Sequence, residues 1–116
     1  MFRIQREELI DELTKKGISD LAVIKAIGNV PREKFIPKTI QHFAYKDVAL
    51  PIGFDQTISQ PYTVAYMTQL LNINRSGMKI LEIGTGSGYQ AAILNEMGCD
   101  VYSIERNLDL HNRTAK

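Results

Sequence analysis

The sequence has almost no cysteine. Cys99 is the only one, which excludes an internal disulfide framework and a cysteine-based zinc site. It also lacks an excess of one charge. Fourteen Lys and Arg stand against thirteen Asp and Glu, for a formal charge of +1. No basic surplus exists to neutralise a row of phosphates, so a nucleic-acid partner is not expected. No uninterrupted apolar run approaches the roughly 20 residues of a membrane span. The first residues, MFRIQREELIDELTKK, mix acids with bases and lack the apolar core of a signal peptide. His42 and His111 share no ligand spacing, and no metal site is expected. What is present is ordinary for a globular chain: 116 residues, 44% hydrophobic and 23% charged. The expectation is a soluble, cytoplasmic protein of one small domain.

The first half reads as short helices broken by prolines. Residues Arg3–Lys16 place Ile4, Leu9, Ile10 and Leu13 on one helical face, and Gly17 stands where the helix should stop. Ser19 and Asp20 offer an N-cap for a second helix that carries Leu21, Ile24 and Ile27 and ends at Gly28. Pro31 opens a short helix through Phe35, and Pro37 closes it. Val48–Gly53 is apolar but carries Pro and Gly, which suits an extended edge segment or a loop. Pro61 then fits the first turn of a helix capped near Ser59 or Gln60, running to about Leu71 and burying Val64, Met67, Leu70 and Leu71.

The second half has a different rhythm. Lys79–Ile83 is a short apolar strand, Gly84–Gly88 a glycine loop, and Tyr89–Met97 a helix burying Ala92, Ile93 and Met97 that stops at Gly98. Asp100–Glu105 is a second strand, preceded by Cys99 as an inert buried thiol. This β-loop-α-β unit predicts parallel strands with a right-handed crossover. Leu108–Lys116 reads as the start of a further helix. The expected domains are residues 1–60, a helical and extended subdomain carrying an active-site loop, and residues 61–116, the start of a Rossmann-like domain. Lys34, Lys38 and Lys46 read as solvated surface, and Tyr62 and Tyr66 as packing residues.

The glycine loop carries the chemistry. Leu81-Glu82-Ile83-Gly84-Thr85-Gly86-Ser87-Gly88-Tyr89 follows a strand and opens a helix, so its bare backbone N–H groups face a ligand. A dinucleotide fingerprint needs glycine at position 89, where Tyr89 stands, and the Gly-Lys-Ser/Thr of a P-loop is absent. Glu105, at the end of the next strand, can accept both hydroxyls of a ribose. Glu82 before the loop would repel a pyrophosphate but not a ligand with a cationic centre. S-Adenosylmethionine, with its ribose, sulfonium and amino-acid head, fits this pattern better than NAD.

Three further stretches extend the pattern: Val30-Pro31-Arg32-Glu33-Lys34-Phe35, Ala49-Leu50-Pro51-Ile52-Gly53 and Gln56-Thr57-Ile58-Ser59-Gln60-Pro61-Tyr62. With the glycine loop they resemble the protein-L-isoaspartate O-methyltransferases over nearly the whole chain from Ile10 to Arg106. Thr57–Pro61 is the most specific part, because general methyltransferases lack it. The resemblance implies an α/β fold: the N-terminal part of a Rossmann-like, S-adenosylmethionine-dependent methyltransferase sheet, preceded by a small helical subdomain. It implies methyl transfer to the α-carboxylate of isoaspartyl residues in damaged proteins and peptides, with S-adenosylhomocysteine as product. The methyl ester then closes to a succinimide. Ser59 matches the family's active-site serine. Gln56, Thr57 and Ile58 lie along the cofactor and methyl-transfer site. Glu82, Ile83, Gly84, Thr85 and Gly86 match the cofactor loop, Glu105 the ribose-binding acid, and Arg106 and Asn107 the adenine side. Val64 stands where some relatives carry a His, so no polar cofactor contact is expected there.

Two alternatives stay open on sequence: a methyltransferase of another carboxylate substrate, and a truncated fragment that does not turn over. The fold implied needs a seven-stranded sheet, and two of its strands are found here. At a mass near 13 kDa the chain is expected to lack catalysis and to self-associate through an exposed strand edge.

Overall fold

The computed structural model describes residues 2–53, 55–84 and 86–104. Among these residues four helices and four strands follow one another: α1 (Arg3–Lys15), α2 (Leu21–Asn29), β1 (Leu50–Gly53), β2 (Gln56–Ile58), α3 (Pro61–Leu70), β3 (Lys79–Ile83), α4 (Tyr89–Glu96) and β4 (Asp100–Ile104). Two 3-10 turns, Arg32–Phe35 and Lys38–Phe43, join α2 to β1. The expected helix start at Leu108–Lys116 lies outside the described residues.

The helices form where the apolar spacing places them, but the buried faces differ from expectation. In α1, Leu9 and Leu13 are buried while Ile4 is exposed. In α2 the core stripe is Val23, Ala26, Ile27 and then Val30, an i, i+3, i+4, i+7 set, which leaves Leu21 on the solvent side. Asp20 caps α2 by accepting the Ala22 N–H at 3.0 Å. Gly28 does not stop α2, which continues to Asn29. A Cβ on Gly28 would lie 3.2 Å from Ile10 Cδ1, so this glycine serves the close packing of α1 on α2.

In α3 the buried stripe is Pro61, Val64, Ala65 and Thr68. Met67, Leu70 and Leu71 are exposed rather than buried. The smaller side chains give the helix its approach to α1 and α2, and the larger ones are turned away. Tyr62 and Tyr66 stack on one another, with centroids 5.8 Å apart. In α4, Tyr89, Ile93 and Leu94 are buried, while Ala92 and Met97 are partly buried. Gly98 ends α4 with a left-handed φ of 86°.

The Leu50–Ile58 region is more than an extended edge. β1 and β2 form an antiparallel hairpin pairing Leu50 with Ile58 and Pro51 with Thr57. Its turn uses positive φ at Gly53 and Asp55. β3 and β4 are parallel, in register from Lys79 opposite Asp100 to Ile83 opposite Ile104. One face of this pair, with Ile80 and Val101, packs on Leu94 and Cys99. Burial pushes the Cys99 thiol up, as suits an inert thiol. Leu81, Ile83, Tyr102 and Ile104 are exposed.

The main core runs from Leu9 in α1 to Ile93 in α4. A polar knot holds its α1 edge. The Tyr45 hydroxyl accepts the Arg6 Nε and Arg32 backbone N–H groups, each at 3.1 Å, and donates to the Glu33 carboxylate. Burial first, then Glu33, pushes Tyr45 from an ordinary 10.0 up to about 12. The unfolded chain therefore loses this proton before the folded one does. Tyr45 contributes its full stabilisation below pH 10 and loses it as the pH rises towards about 12. Urea unfolding of wild type and Tyr45→Phe between pH 9 and 12 should show a gap that narrows with pH; a constant gap would contradict the knot.

Candidate active site

β3 leads directly into the glycine loop, and the loop leads into α4. Gly84 and Gly86 have φ of 84° and 57°, and a Cβ on either would meet open space. Their backbones can thus lie against a ligand, in a conformation that side chains disfavour. The Gly84 N–H is held by the Ile104 carbonyl at 2.6 Å, which ties the loop to β4.

Opposite the loop stands the end of β2. Ile58 is buried, while Thr57 and Ser59 are exposed. The chain turns at Gln60 into α3, and no side chain of that junction caps the helix. The cap comes from a distance: Asp47 Oδ1 accepts the Tyr62 N–H at 2.7 Å, and Oδ2 pairs with Lys16. Ser59 is therefore free of the ordinary work of an N-cap.

Between these walls lies a cavity of about 410 Å³. It falls within the roughly 300–1,000 Å³ of small-molecule sites. Thr57, Ile58 and Ser59 line one side; Glu82, Ile83, Gly84 and Gly86 line the other. Seven of the sequence-derived site residues are thus brought together. Gln56 is paired with Gly53 in the hairpin and does not line the cavity. Thr85, Glu105, Arg106 and Asn107 lie outside the described residues.

The cavity also includes residues that the sequence reading did not single out. Thr68 donates to the Val64 carbonyl at 2.7 Å and accepts from Gln90 Nε2 at 2.9 Å, so α3 and α4 are joined at the cavity floor. The available signal was a polar residue on the apolar stripe of α3. Among the described residues, Glu82 is the only charged residue lining the cavity. Its Oε1 accepts the Ser103 hydroxyl at 2.9 Å.

Comparisons with known proteins give the family. The family model for protein-L-isoaspartate(D-aspartate) O-methyltransferase matches residues 4–116. The chain belongs to this family. Among relatives named protein-L-isoaspartate O-methyltransferase, that of Christiangramia forsetii is 52% identical over 110 residues, covering 95% of this chain and 51% of that protein. The one from Salinibacter ruber is 54% identical over 112 residues, covering 97% and 48%. The chain spans about half the length of the curated relatives it matches. A solved protein-L-isoaspartate O-methyltransferase superposes with a TM-score of 0.81 at 31% identity, covering 95% of this chain and 37% of that one. A family crystal structure from Plasmodium falciparum, in complex with S-adenosyl-L-homocysteine, gives 0.77 at 28% identity, covering 95% and 53%. The architecture is thus the N-terminal part of an α/β methyltransferase fold.

The Asp47 cap yields a stability prediction. Asp47→Ala should cost about 1–2 kcal/mol in urea unfolding, and Asp47→Asn, which keeps an acceptor for Tyr62, should cost less. Equal midpoints for wild type and Asp47→Ala would remove the cap from the account.

Proposed function

We propose that this protein transfers a methyl group from S-adenosylmethionine to the α-carboxylate of L-isoaspartyl residues in damaged proteins and peptides, as the resemblance to its family implies. One observation carries the reading. The Thr57–Ser59 segment and the glycine loop converge on one ligand-sized cavity, and its only charged lining among the described residues is a carboxylate. A cavity whose charged lining among the described residues is acidic disfavours a pyrophosphate and suits a cationic ligand.

The residues fit such a cofactor. Gly84 and Gly86 present backbone without side chains, and Glu82 supplies negative charge. Thr85, Glu105, Arg106 and Asn107 complete the proposed set through the resemblance, as do Gln56, Thr57 and Ile58. When bound, S-adenosylmethionine supplies an activated methyl group on a sulfonium. The chain's own residues need no general base, because a carboxylate acceptor, with a pKa near ~4, is already ionised at neutral pH. Their task is to orient the reactants and exclude water, which can lower a barrier by roughly 7–11 kcal/mol in favourable systems. Ser59 positions the acceptor by hydrogen bonding; it is not a nucleophile.

A second reading rests on the open apolar face of Leu81, Ile83, Tyr102 and Ile104. Under it, the 116-residue chain alone binds the cofactor without turnover and self-associates through that face.

An isoaspartyl-peptide methylation assay on material of measured mass separates these readings. The expected result is methylation of the isoaspartyl peptide and not of its aspartyl isomer. Equal methylation of both, or preference for a small carboxylic acid, would point to another substrate class. Ser59→Ala should keep S-adenosylhomocysteine affinity in calorimetry and lose most methyl transfer. Unchanged turnover by that variant would sink the role given to Ser59.

A further inference from the structure

Arg32 is a charged side chain with no exposed surface. It sits in the 3-10 turn after Pro31, outside the cavity lining. Its Nη2 donates to the Ser59 carbonyl at 3.1 Å and more weakly to the Val48 carbonyl at 3.5 Å. Its guanidinium carbon lies 4.9 Å from the centre of the Tyr89 ring. Tyr89 is the first residue of α4, directly after the glycine loop, and is itself buried. Phe35, three residues after Arg32, meets the same ring edge-on at 5.5 Å.

Burying this cation is expensive. Loss of solvent pulls the Arg32 pKa downward, and among the described residues Nε, Nη1 and the Tyr89 hydroxyl find no hydrogen-bond partner. An apolar side chain of similar volume would fill the space without that cost. What an apolar side chain cannot do is stack on a ring and donate to a carbonyl at once. A planar guanidinium does both; an ammonium offers only a point charge.

We propose that Arg32 is a positioning residue: its guanidinium fixes the Ser59 backbone relative to Tyr89, and so sets the active-site segment against the glycine loop. The proposal rests on the methyl-transfer reading above for its effect on turnover, but not for its effect on geometry. Ser59 directly follows β2 and the loop directly follows β3, and these strands belong to separate two-stranded sheets with no ladder between them among the described residues. The guanidinium is a direct tie between the segment of one and the helix start of the other.

The test compares wild type, Arg32→Gln, Arg32→Lys and Leu9→Ala in the intact enzyme. Leu9 is buried in the core away from the cavity, and its truncation serves as the control for general destabilisation. Calorimetric titration with S-adenosylhomocysteine counts competent sites, and kcat is expressed per competent site. Arg32→Gln should lose about 10- to 100-fold in kcat, the scale of a small misplacement of reacting groups. Its peptide KM should stay within about threefold, because the loss falls on alignment and not on binding. Arg32→Lys should recover part of the loss, and Leu9→Ala should match wild type per site. Hydrogen exchange reads the geometry without turnover: residues 56–60 and 88–92 should exchange faster together in both Arg32 variants, with residues 3–15 unchanged. Wild-type kcat and protection in both variants would overturn the proposal, as would an equal kcat loss in Leu9→Ala. A wild-type enzyme that methylates no isoaspartyl peptide would defeat the functional reading instead, and the exchange result would then decide the positioning alone.

Discussion

A fully buried guanidinium lying over a buried tyrosine ring is the constraint on which the rest of this structure turns. The Arg32–Tyr89 contact spans the junction between the helical part of the chain and the β-loop-α-β unit. A cation over an aromatic face gains about 2 kcal/mol or more when desolvated, enough to offset part of its burial cost. The turn that carries Arg32 is held in its own right, because the Arg32 backbone N–H is bound by Tyr45, itself locked to Arg6 and Glu33. The same turn brings Phe35 edge-on against the tyrosine ring. Core packing, hairpin and glycine loop therefore share one anchor.

The chemistry of the cavity follows from what surrounds that anchor. Two left-handed glycines leave backbone facing open space. The wall opposite presents small hydroxyl side chains, and the floor is a threonine–glutamine hydrogen bond. Glu82 gives the cavity its sign. Such a site can hold and orient a ligand, and under the proposed reading it needs no strong acid or base. The curated relatives that the chain matches are about twice as long. Here the face carrying Leu81, Ile83, Tyr102 and Ile104 stays open among the described residues.

Much of this was readable in the sequence where local rules suffice. The strand, glycine loop, helix and returning strand between Lys79 and Ile104 follow from apolar runs punctuated by glycines, and Pro61 marks the start of α3. The loop glycines are legible by pattern and Ser59 by the family resemblance, and they stand on facing walls of one cavity. The failures are tertiary. Met67 and Leu71 look like core but face the cavity, because small Ala65 and Thr68 take the close approach. The hairpin was hidden by Pro51 and by a turn whose positive φ falls partly on Asp55. The cap on α3 comes from Asp47, 15 residues upstream, where no spacing rule looks. Arg32 and Lys34 are alike in local pattern, yet one is buried and the other solvated.

The direct measurement of the central constraint is a double-mutant cycle on unfolding free energy between Arg32→Met and Tyr89→Leu. If the guanidinium and the ring hold one another, the two substitutions are coupled by about 1–2 kcal/mol, as contacting buried groups are. Additivity within about 0.3 kcal/mol would show two independent residues, and the anchor would not exist.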